Sequence, residues 1–111
     1  MDKLLIIWST AEIEVAKKMV LLYSSVILPR GYWDEAHLMI WGPSAKLLAE
    51  NEVLQEMLEK IKETGVKLSV CIVCSDDYGV TKQLEAMGVE AIHTGEFLTE
   101  ALKRDWKVIT F

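Results

Sequence analysis

At 111 residues the chain has the size of one ordinary domain, and a hydrophobic content of 51% is enough for one filled core. A net charge of −5 with no block of Lys or Arg argues against nucleic acid as a partner, since that needs a basic stripe to neutralise phosphates. No apolar run nears the ~20 residues of a membrane span, and the apolar stretch after Met1-Asp2-Lys3 is too short for a secretory signal. The expected setting is therefore the cytoplasm, with no nucleic acid and no membrane.

The elements follow from apolar periodicity. Leu4 to Trp8 is a near-continuous apolar run ended by Ser9-Thr10, which predicts a strand buried on both faces. From Ala11 to about Leu28, Ile13, Ala16, Val20 and Tyr23 recur at helical spacing, and Pro29-Arg30-Gly31 stops the helix. Ala36 to Trp41 is a second strand, closed by Gly42-Pro43-Ser44. Ser44 is placed to cap a helix over Ala45 to Ala49, and Glu52 to Thr64 carries a further helix ended by Gly65. Val66 to Ile72 is the third strand. Ser75-Asp76-Asp77 offers cap chemistry for a helix to about Met87, with Gly88 as its stop. A short strand over Val89 to Ile92, a helix over Thr94 to Lys103 and a last strand over Trp106 to Thr110 complete the chain.

Alternating strands and helices without a repeat or linker predict a single α/β domain of three layers, with a parallel sheet between helices on both faces. For five strands the commonest arrangement is the flavodoxin-like order 2-1-3-4-5. Ligands of such sheets bind beyond the strand carboxyl ends, at the switch between strands one and three in that order. This expectation gathers Trp8, Ser9 and Thr10 beside Cys71, Cys74 and Ser75, with Trp41, Gly42 and Ser44 nearby.

Cys71 and Cys74 form the most reactive feature, in Val70-Cys71-Ile72-Val73-Cys74. Two cysteines so close cannot staple a useful loop, and in a cytosolic chain the spacing points to redox, sulfur or metal chemistry. A thiolate is favoured at a helix N-terminus, and Cys74 is expected just before the cap; Asp76 and Asp77 should oppose ionisation. The alternative reading makes one or both small core residues. A zinc site would need His37 and His93 as well, but neither has finger-like spacing, so no metal is assigned. His37 reads as a satisfied strand residue and His93 as an ordinary exposed one. Ser9-Thr10 and Gly42-Pro43-Ser44 precede helices and read as caps rather than phosphate loops; no dinucleotide fingerprint is present, and no cofactor is assigned. Among four Trp, Trp8 and Trp41 end adjacent strands and could wall a cleft, while Trp33 is expected in a loop as a protein contact.

Taken together, Leu4-Leu5-Ile6-Ile7-Trp8, Ile40 to Leu48 with its Trp41-Gly42-Pro43-Ser44 turn, Val70 to Val80 and Leu98 to Leu102 make the chain resemble the DsrE/DsrF-like family over essentially its whole length. That resemblance implies a flavodoxin-like sheet, symmetric oligomers and, in the sulfur-relay members, a cysteine that carries persulfide sulfur between proteins. Cys71, eight positions before Gly79, falls where relay members keep that cysteine, and Cys74 where another branch keeps one. Relay members are similar in an Arg-rich stretch where this chain has Asp76-Asp77-Tyr78. The resulting expectation is a cytosolic sulfur-handling or thiol-redox protein working through Cys71 and Cys74, a homo-oligomer with a sulfur-donor or acceptor protein as partner. The alternative is a non-enzymatic oligomeric module binding a small ligand at the strand carboxyl ends.

Overall fold

A computed structural model describes residues 1–111. Five strands form one all-parallel sheet: β1 (Lys3–Trp8), β2 (Glu35–Ile40), β3 (Lys67–Cys71), β4 (Glu90–Ile92) and β5 (Lys107–Thr110). Between β1 and β2 the chain forms α1 (Ile13–Val15), a π-helical stretch Ala16–Val20 and α2 (Leu21–Val26). Helices α3 (Pro43–Glu50) and α4 (Glu52–Glu63) join β2 to β3. Next, α5 (Ile72–Tyr78) and α6 (Thr81–Ala86) lead to β4, and α7 (Thr94–Lys103) leads to β5. The α/β class and the parallel sheet between helical layers are as the alternation predicts.

The strand order is β4-β3-β2-β1-β5, so β3 pairs with β2 and β4, and β1 lies between β2 and β5. In the order 2-1-3-4-5, β3 would instead adjoin β1. Alternation alone does not choose between these arrangements; which helices share one face of the sheet does. Residues Leu48 of α3, Leu54, Leu58 and Ile61 of α4 and Leu84 of α6 share one core with Ala16, Val20 and Leu21. All of them pack on the sheet face of Leu4, Ile6, Trp8, Leu38, Ile40, Leu68 and Val70. Crossovers that keep their helices on one face must keep stepping in one direction along the sheet. The chain therefore walks from β1 through β4, then returns beneath the sheet to β5.

That return is α7, the helix of the second face. Ala101, Phe97 and Leu98 pack with Leu5, Ile7, Met39, Trp41, Trp106 and Val108. The same face carries polar groups between α7 and the sheet. His37 Nε2 and Ser69 Oγ are 2.7 Å apart, and the His37 ring lies 4.4 Å from that of Phe97. His37 is thus a satisfied strand residue. Burial, with Lys67 adding repulsion, holds its pKa down at about 4. Trp33 is not a free loop indole: it is half-buried against the main core, with its N–H donated to Tyr23 Oη at 3.0 Å. No helix is long and apolar enough to cross a membrane.

Candidate functional site

The corrected order moves the switch point. Beyond β3 the chain turns to the face of α5 and α6, and beyond β4 it turns to the opposite face as α7. Neighbouring strands whose connections part in this way leave a crevice at their carboxyl ends. Here that crevice is a cleft of about 960 Å³, with Cys71, Val73 and Cys74 on one side and His93 to Glu96 on the other. Trp41, at the end of β2, closes one end, and Thr99 and Glu100 of α7 continue the wall.

Helix α5 begins earlier than the cap chemistry of Ser75 suggests. Cys71 is its N-cap, with extended φ −63° and ψ 116°, and Cys74 sits in its first turn. Ser75 is fully buried, and its hydroxyl serves Thr81 Oγ1 at 2.7 Å and the Ile72 carbonyl at 3.2 Å. A side chain so engaged inside the helix cannot cap its start. The expected single helix to Met87 is broken at Gly79, whose φ of 70° lies in the left-handed region that glycine tolerates.

This placement separates the two thiols. Cys71 is buried at the cleft floor, only 6% exposed, whereas Cys74 is half-exposed. Burial by itself pushes the Cys71 thiol up. The Cys74 amide, the Cys74 thiol, the Thr94 hydroxyl and the Val73 amide outweigh it, leaving the Cys71 pKa below the usual thiol value. Burial and the neighbouring Cys71 push Cys74 up; the Gly42 amide opposes them, and Asp77 adds a smaller repulsion. Asp77 thus weighs on Cys74 rather than on Cys71, and of the two thiols Cys71 is the one whose ionisation is favoured.

Of the residues expected at the site, Cys71, Cys74 and Trp41 line the cleft, and Gly42 approaches Cys74 through its amide. The others lie elsewhere. Trp8 is fully buried in the main core, with its indole N–H on the Thr10 carbonyl. The Ser9 and Thr10 amides both donate to the Phe111 carbonyl, at 2.7 and 3.2 Å, so that loop is tied to the end of β5 and these two amides are not free for an anion. Buried Ser44 donates to the Trp8 carbonyl and locks the turns after β1 and β2 together. The sequence reading missed His93, Thr94, Gly95, Glu96, Thr99 and Glu100. Their signal was Thr94-Gly95 opening a helix after the fourth strand, legible only once β4 is known to adjoin β3. No three His, Cys, Asp or Glu side chains gather as metal ligands.

The DsrE/DsrF-like family model matches residues 9–111. Among solved structures, the chain is similar to a conserved protein of unknown function, BT1422, from Bacteroides thetaiotaomicron. The two are 28% identical with a TM-score of 0.95, over 99% of this chain and 95% of the other. It shares its fold with the ychN protein from E. coli at 21% identity and a TM-score of 0.76, over the full length of both chains. No curated protein matches.

Proposed function

The chain belongs to the DsrE/DsrF-like family, and on that premise we propose that it is a cytosolic sulfur-handling or thiol-redox protein acting through Cys71 and Cys74. One observation carries the reading: Cys71 is the N-cap residue of α5 in the β3/β4 cleft, and Cys74, one turn on, lines the same cleft. The surrounding amides and the Thr94 hydroxyl favour the Cys71 thiolate, the form that reacts, at a residue that lines the cleft.

In sulfur transfer, the Cys71 thiolate attacks the outer sulfur of a donor persulfide. A Cys71 S–S bond forms, the donor S–S bond breaks, and the donor leaves as a thiolate. The sulfur then passes to an acceptor thiolate. Alternatively, Cys74 attacks Cys71 Sγ, expelling hydrosulfide and leaving a Cys71–Cys74 disulfide that an external dithiol reduces. The protein works as a homo-oligomer, with exposed Met19, Leu22 and Ile109 as apolar surface available for self-association.

The test is mass spectrometry after incubation with a persulfide donor. One sulfur atom should add to Cys71 and be removable by reductant. Cys71→Ser should abolish the adduct, and Cys74→Ser should prolong it. Mild oxidant should remove two hydrogens from the wild-type protein as the internal disulfide forms. The absence of both an adduct and a disulfide would sink the proposal and leave ligand binding in the cleft as the reading.

A further inference from the structure

The walls of the cleft carry a charge pattern that the sulfur chemistry does not require. Its ten lining residues include two carboxylates, Glu96 and Glu100, and no Lys or Arg. Glu100 is bonded to Arg104 at 3.1 Å on the exposed side of α7, whereas Glu96 has no ion-pair partner. On the facing element, Asp77 acts electrostatically on Cys74, and Asp76, also exposed, accepts a hydrogen bond from Thr81. At the start of α5 the Val73 and Cys74 amides are directed to Cys71, and at the start of α7 the Glu96 carboxylate sits in the first turn, where it offsets the positive end of that helix. A molecule entering the cleft to reach Cys71 therefore passes the Glu96 and Glu100 carboxylates and no cationic side chain of Lys or Arg.

We infer that the cleft selects a cationic sulfur donor, one with ammonium or guanidinium groups beside its reacting sulfur, and disfavours small anionic donors. The inference rests on the sulfur-handling reading and names the substrate class of that same site. Depth adds a second condition: Cys71 lies at the floor, so the reacting sulfur must project into the cleft on a slender arm.

Three disulfides test the charge rule without a biological partner: cystamine with two ammonium groups, bis(2-hydroxyethyl) disulfide with no charge, and dithiodipropionate with two carboxylates. With each, the Cys71 thiolate attacks one sulfur, a Cys71 mixed disulfide forms, and the other half leaves with the electron pair as a thiolate; the reagent is the oxidant. Each rate is divided by that of the same reagent with a free model thiolate, which removes differences in leaving group. The expected normalised ratio of cystamine to dithiodipropionate is about tenfold at low salt and shrinks toward one in molar salt. Glu96→Gln and Glu100→Gln should each lower it. A ratio of one or less, with the neutral reagent reacting well, overturns the inference and leaves the sulfur-handling reading intact. A neutral reagent that fails to modify the folded protein overturns both.

Discussion

Replacing Thr94 by Val tests whether α7 helps to ionise Cys71. Thr94 is 2% exposed at the first position of α7, and its hydroxyl favours the Cys71 thiolate. Valine keeps the shape and removes only that donor. A hydrogen bond to a charged group contributes about 1.5–3 kcal/mol, and the open cleft with three other donors present discounts this to about 1 kcal/mol. That corresponds to about a fivefold loss of thiolate wherever the thiol is mostly protonated. The assay is the rate of Cys71 alkylation by iodoacetamide against pH in a Cys74→Ser background, compared only within that background. Thr94→Val should slow alkylation about fivefold on the rising limb and leave the high-pH plateau almost unchanged. Thr94→Ser should restore the rate. Superimposable pH profiles for Thr94→Val and the parent, with the protein folded, would refute the role given to the hydroxyl.

The His37 pKa of about 4 in the folded chain, against 6.5 for an unperturbed histidine, makes stability pH-dependent. Between these values the unfolded chain binds the additional proton, so stability is full above 6.5 and falls as pH drops toward 4. The loss is up to about 3 kcal/mol and should appear in urea unfolding midpoints. His37→Gln should flatten that window. Light scattering at tens of micromolar should give a mass above the 12.6 kDa of one chain, and Leu22→Glu should shift it downward; a 12.6 kDa species for the parent would remove the oligomer proposal.

Periodicity and punctuation in the sequence determined the α/β class, the five strands and most helix ends, because these depend on local spacing of apolar residues and on Gly or Pro stops. The CxxC spacing also marked Cys71 and Cys74 as the candidate pair. Three decisions needed tertiary structure. Strand order depends on which helix faces share a core, and the stripe of Leu54, Leu58 and Ile61 is equally apolar whichever sheet face it meets. The start of α5 depends on Ser75 being occupied by Thr81 and Ile72 rather than free to cap. The partition of the two thiols depends on Thr94, 20 or more residues distant from both cysteines in the chain, arriving through β4 pairing with β3. Local spacing names the thiol and supplies the Val73 and Cys74 donors, whereas the Thr94 hydroxyl reaches it only through the fold.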